Sequence, residues 1–317
     1  MQVKFWGVRG SLPQSNGTLE WLDHFKRLMS QFFSEGYTKS NDIDQFISRK
    51  NSPEIGGYGS ATTCVQVSEG ASHLIIDGGS GLKKYNDHLA QNNFSLTEHH
   101  ILLTHFHFDH TMGIPYFIPH FLKGHKIHYY SPDVNCEKYV KALFQKPIFP
   151  VPFEQLSAEI IFHHIKPYEK NQIQNFTVQA YSTDHSDACY GFKVTSPHGK
   201  VYSHAVDNEI IRRSTDDLKQ DAGLYQNTDL LYIDSQYSEQ DMNEKKGWGH
   251  GTSQRAFEIC RHFNIEQVLL GHHDPGAGIS SLQKLSDQAV EYFENNPTPD
   301  SVKLKWALAF EGMTIQL

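Results

Sequence analysis

The chain has 317 residues, is 38% hydrophobic and 20% charged, and carries a formal net charge of -8. These values fit a folded globular protein and exclude both a disordered chain and a strongly basic nucleic-acid binder. Histidine is the outlier, with 20 copies, and imidazole is the commonest metal-binding side chain. Four cysteines, Cys64, Cys136, Cys189 and Cys260, form no CxxC pair, so a cysteine-rich zinc knuckle is excluded. No apolar run approaches the roughly 20 residues of a membrane span, and no signal-like apolar stretch opens the chain. The expectation is a cytoplasmic protein with reduced thiols and no membrane association.

In chain order, residues 2–7 read as a strand, followed by a turn around Gly10 and Pro13. Residues 16–55 differ in character. Leu22, Phe25, Leu28, Met29, Phe32 and Phe33 recur at helical spacing, and Ile43, Phe46 and Ile47 repeat the pattern briefly. Two helices are expected there, with the stripe Leu22, Phe25, Met29 and Phe32 buried on the core or in a homodimer contact. Strands then follow at 62–67, 73–77, 100–104, 126–130, 159–163, 190–194, 200–204, 229–234 and 267–271. Two late helices are expected at 252–262 and 281–295, the first capped by Thr252 or Ser253. The alternation predicts a single layered α/β domain over 1–317, with 16–55 as a helical insertion.

The densest chemical signal is Thr104-His105-Phe106-His107-Phe108-Asp109-His110. An apolar strand ends, the chain turns, and four metal-binding side chains leave one short loop. Imidazole and carboxylate without thiolate suit zinc, manganese or iron. One loop cannot complete two coordination spheres, and His185, Asp207 and His272 each stand at the tip of a β-rich run. His273 follows His272 directly, and the spacing alone leaves open which of the two binds. His204 reads as structural.

The segment His105–His110 resembles the HxHxDH signature of the metallo-β-lactamase superfamily. The resemblance covers Met1–Pro13 and roughly Gly56–Leu317 and implies a four-layer αββα sandwich. It further implies two divalent ions, zinc first, with manganese or iron as alternatives. His105, His107 and His185 would hold one ion, Asp109, His110 and His272 the other, and Asp207 would bridge them. The family order selects His272 over His273. Asp77, in IIDGGSG, matches an aspartate that orients a ligand histidine. Trp248-Gly249-His250-Gly251-Thr252 resembles a His-Ser-Thr motif of tRNA 3′-processing endonucleases and related phosphodiesterases, with Gly251 in place of serine. That likeness implies a catalytic role for His250 beside Asp109. A cysteine ligand marks β-lactam-hydrolysing relatives, and Asp207 in that place argues against their reaction.

These implications lead to an expected function: hydrolysis of a phosphodiester, in a cyclic nucleotide or another small molecule, by a hydroxide shared between two metal ions. A nuclease acting on RNA or DNA is the alternative, weakened by the absence of a basic Gly/Pro-rich arm and by the net charge. A non-catalytic nucleotide sensor is the further alternative, disfavoured by the intact ligand pattern.

Overall fold

The computed structural model describes residues 1–14, 17–296 and 303–317; Asn16, the first residue of the expected insertion, lies outside them. Two seven-stranded mixed sheets face each other. The first is built by β1 (Gln2–Gly7), β2 (Cys64–Glu69), β3 (Ser72–Ile76), β4 (Glu98–Leu102), β5 (Lys126–Ser131) and β6 (Glu159–His164). The second contains β7 (Asn171–Ile173), β8 (Phe176–Ser182), β9 (Tyr190–Thr195), β10 (Val201–Ala205), β11 (Leu230–Asp234), β12 (Gln267–Gly271) and β13 (Lys305–Leu308). β14 (Thr314–Gln316) returns to the first sheet and pairs with β1. Strands β3 to β6 run parallel, as do β10 to β13.

Parallel strands covered on both faces read as continuous apolar runs, and Leu74–Ile76, Ile101–Leu103, Leu230–Ile233 and Val268–Leu270 are such runs. Val3, Phe5, Val65, Leu102, Val178, Phe192 and Tyr232 form the core between the sheets. On the outer face of the first sheet, Ile75, Ile101, Ile127 and Tyr129 pack with Leu82, Tyr85 and Leu89 of the helix Leu82–Gln91. On the outer face of the second, Ile233, Val268 and Leu270 pack with Phe257 and Ile259 of the helix Ser253–Phe263 and with Leu282 of the helix Ile279–Asn295. The result is the αββα sandwich. No helix among the described residues is long and apolar enough to cross a membrane, and all four cysteines are buried and free.

The segment after residue 17 holds three α-helices rather than two: α1 (Thr18–Ser34), α2 (Ile43–Ser48) and α3 (Ser52–Gly56). Glu20 closes the start of α1 by accepting from the Gly17 N–H at 2.8 Å. The expected burial of its stripe on the core is corrected here for the single chain. Phe32 is buried, but Leu22 and Phe25 are 46% and 61% exposed, and Met29 is half-buried. The reason is that the segment folds largely on itself. Phe32, Tyr37 and Phe46 make a small aromatic cluster with ring centroids 5.3 to 5.8 Å apart. Within the segment His24 of α1 meets the Ile55 carbonyl of α3 at 2.6 Å, and a polar tie to the rest of the chain runs from Arg27 to the Ser280 hydroxyl at 3.3 Å.

Candidate metal centre

The parallel strands of both sheets deliver their C-terminal ends to one place. Asp77 follows β3, Thr104 to His110 follow β4, Asp207 follows β10, Asp234 ends β11 and His272 follows β12. His185 comes from the loop between β8 and β9. Asp77, Asp207 and His272 have φ of 63°, 55° and 58°. The left-handed region costs a residue with a Cβ about 1 kcal/mol or more, so three strained residues at three strand ends indicate that position outweighs backbone comfort.

Two donor groups result. His105, His107, His185 and Asp207 offer ligand atoms within 4.8 Å of one another, and so do Asp109, His110 and His272. In the first group, His107 Nδ1 and His185 Nε2 stand 3.1 Å apart. In the second, His110 Nε2 and His272 Nε2 stand 3.3 Å apart, and Asp109 Oδ2 is 3.3 Å from each. Asp207 lies between the groups. Its Oδ2 is 2.7 Å from His110 Nε2 and 3.1 Å from His272 Nε2, while its Oδ1 faces His185 Nε2 at 3.7 Å.

The far nitrogens are held by the chain. Asp77 accepts from His110 Nδ1 at 2.8 Å and from the Thr104 N–H at 2.9 Å. The Gly249 carbonyl accepts from His185 Nδ1 at 3.0 Å, and a Cβ at residue 249 would lie 2.1 Å from that nitrogen. Gln236 Oε1 lies 3.2 Å from His272 Nδ1. His105 Nδ1 meets the Thr104 hydroxyl at 3.1 Å and Cys189 Sγ at 3.5 Å. His107 is reversed: its Nε2 pairs with Asp187 Oδ2 at 2.9 Å and its Nδ1 faces the group.

This arrangement fits divalent ions. An imidazole whose far nitrogen carries the proton presents a bare lone pair at the other, and facing lone pairs repel unless a cation or proton lies between them. Tetrahedral coordination at about 2.0–2.1 Å puts neighbouring nitrogens about 3.3 Å apart, which matches both nitrogen pairs. His105 Nε2 and Asp207 Oδ2 are buried without a hydrogen-bond partner; the close His110–Asp207 contact lacks hydrogen-bond geometry. Charge follows the same logic. Burial alone opposes a charged His110 or His272, but Asp207 and its neighbouring carboxylates raise both well above the ordinary imidazole range. Burial likewise opposes the ionised Asp207, yet His272, His110 and His105 hold it well below the usual carboxylate range.

Asp234 was not singled out from sequence, although DLLYID carries the same signal as Asp207, a carboxylate ending an apolar strand. Its Oδ2 accepts from His250 Nδ1 at 3.0 Å and lies 3.3 Å from His272 Nδ1, and its Oδ1 accepts from the Gly251 N–H at 2.9 Å. His250 precedes the helix Ser253–Phe263, whose N-cap is Thr252, and its ring stacks on His272 at 5.1 Å. His273 turns away and gives its Nε2 to the Ala309 carbonyl at 2.7 Å. His204 pairs with the Tyr202 hydroxyl at 2.9 Å, and burial depresses its pKa to about 3.

Residues 77–273 match the beta-lactamase superfamily domain model. This chain therefore belongs to the metallo-β-lactamase superfamily, whose fold implies divalent metal binding. It is 23% identical over 275 residues to ribonuclease Z of Archaeoglobus fulgidus, covering 71% of this chain and 85% of that protein. Among solved structures, the metallo-beta-lactamase fold protein YhfI from Bacillus subtilis superposes with a TM-score of 0.62 at 16% identity, over 99% of each chain. A diphosphatase from the PhnP family superposes with a TM-score of 0.61 at 14% identity, over 100% of this chain and 97% of that one.

Proposed function

We propose that this metal-dependent hydrolase cleaves a phosphodiester bond in a cyclic nucleotide or another small phosphodiester. His105, His107 and His185 would hold one divalent ion and Asp109, His110 and His272 a second, with Asp207 shared between them. Zinc suits this set, and manganese or iron also match imidazole and carboxylate donors. When bound, such ions supply Lewis acidity toward a phosphoryl group and acidify water to a pKa of about 7.

The observation that carries the reading is the Asp234–His250 pair beside the two donor groups. Asp234 fixes His250 through Nδ1 at 3.0 Å, so Nε2 is the nitrogen left to give a proton. Phosphodiester cleavage leaves charge on a departing alkoxide, and a positioned acid there is worth about 10²–10⁴-fold. The remaining chain groups position: Asp77, the Gly249 carbonyl and Gln236 hold His110, His185 and His272 in place.

Net charge -8 and a mixed-charge helical segment favour a small substrate over an extended polyanion. A second reading, a nuclease, is favoured by the likeness to ribonuclease Z over 85% of that protein's length. Metal-analysed protein assayed on cyclic mononucleotides, cyclic dinucleotides, bis-p-nitrophenyl phosphate and RNA or DNA oligonucleotides separates the two. Turnover of RNA with none of the cyclic nucleotides would replace the first reading by the second. His250→Ala should lower turnover by about 10²–10⁴-fold with metal content unchanged. The loss should shrink for a p-nitrophenolate leaving group, which needs no proton. Equal losses on both substrate types would assign His250 to phosphate positioning instead.

A further inference from the structure

A second histidine cluster stands at the opposite end of β4. Glu98 opens this strand, and His105 follows its other end, on the order of 20 Å away at strand rise. Glu98 and His100 alternate onto one face of β4, and His128 is the register partner of His100 on the parallel β5. The two imidazoles stack with centroids 4.7 Å apart and planes 9° from parallel. Glu98 Oε1 is 3.1 Å from His128 Nε2 and 3.6 Å from His100 Nε2. All three donors lie within 4.8 Å of one another.

The far nitrogens are again engaged. His100 Nδ1 meets the Tyr130 hydroxyl at 3.0 Å, and His128 Nδ1 meets His163 Nε2 at 2.9 Å. When His128 Nδ1 donates to His163, Nε2 is a bare lone pair facing a carboxylate oxygen. That nitrogen is buried and has no hydrogen-bond partner. Glu98 is close enough but lies off the direction in which a ring N–H would donate. Glu98 Oε1 thus stands near the roughly 3.3 Å ligand spacing of a tetrahedral ion from each nitrogen, and a turn of the two near-parallel rings would bring both Nε2 lone pairs onto one ion. Outer partners on both imidazoles are the usual device for presenting Nε2 to a metal.

We propose that Glu98, His100 and His128 bind one further divalent transition-metal ion, separate from the active centre. Two imidazoles and a carboxylate are a zinc-type donor set, which copper(II) or nickel(II) also accepts. The ion would tie β4 to β5 and keep an open position toward solvent, because Glu98 is half exposed.

The test is zinc binding to the full-length protein by equilibrium dialysis with elemental analysis. Wild type should take up one equivalent beyond those of the active centre. Glu98→Gln and His128→Phe should each weaken that equivalent by at least about 100-fold, the upper end for disturbing a metal site, with hydrolytic activity unchanged. His272→Ala should keep it while disturbing the active centre, so the two sites fail separately. Zinc isotherms identical in wild type, Glu98→Gln and His128→Phe would show a plain carboxylate–histidine pair and overturn the proposal.

Discussion

The centre and the helical segment 18–56 sit in one chain but are constrained to opposite degrees. At the centre, each expected ligand histidine has its far nitrogen held by a neighbour, and three residues tolerate positive φ to reach their places. In the helical segment one small aromatic cluster joins α1 to α2, and much of the apolar stripe of α1 faces solvent. Precision is therefore concentrated where many segments converge, and the segment contributed by one stretch of chain is loosely fixed. Substitutions should separate the two regions by their consequences.

The largest effect should follow Asp207→Ala. Its two oxygens face the two donor groups separately, so elemental analysis should find the metal held by the active centre reduced from about two ions toward one. Turnover should fall by more than the His250→Ala loss. Retention of two ions with equal affinity would remove the shared role of Asp207. Next comes Asp77→Asn, which leaves the chain its shape but weakens the hold on His110. Chelator competition should show affinity lowered about 10–100-fold; an unchanged affinity would make Asp77 a fold residue only.

Protonation gives a third contrast. Carboxylates raise His110 and His272 above the ordinary imidazole value of 6.5. In protein stripped of metal, their contribution to stability is complete below about pH 6.5 and is lost as pH rises through the raised values. Asp207, held below 3.8, contributes above that value and loses its contribution on acidification. The melting temperature of stripped protein should thus decline as pH rises above about 6.5. Zinc uptake at pH 7 should release protons, read by calorimetry in buffers of different ionisation enthalpy. Uptake without proton release would contradict the charge assignment.

The smallest effects belong to the helical segment. Phe32→Ala removes the shared partner of Tyr37 and Phe46, a local loss of about 3 kcal/mol. Limited proteolysis should open residues 18–56 while the melting of the sandwich stays nearly unchanged. Phe25→Ser, at an exposed position, should fall within about 0.5 kcal/mol of wild type. A coupled drop in sandwich stability for either variant would show that the segment is more firmly packed than its contacts indicate.

The legibility of the chain follows the same division. Strands buried on both faces, such as Leu230–Asp234, announce themselves as apolar runs. β8 and β14 do not, because FTVQAYS and TIQ interleave polar residues. Clustered ligands at His105–His110 are visible as a motif, whereas Asp234 is a single carboxylate whose meaning appears only when β11 is placed beside β12. The stripe on α1 has correct helical periodicity, but periodicity gives a face and does not say what covers it. Asp187, Gln236 and the Gly249 carbonyl hold ligand histidines from distant points in the chain, and no local pattern encodes such contacts.

His110 and His272 meet at 3.3 Å although 162 residues separate them. Their encounter requires the two sheets to have docked, and long loop closures of this kind form late in folding. Metal capture during refolding should accordingly lag behind secondary-structure formation. The rate at which a chromogenic chelator gives up its ion would then serve as a clock for sheet docking, timed at the far end of the hydrophobic core.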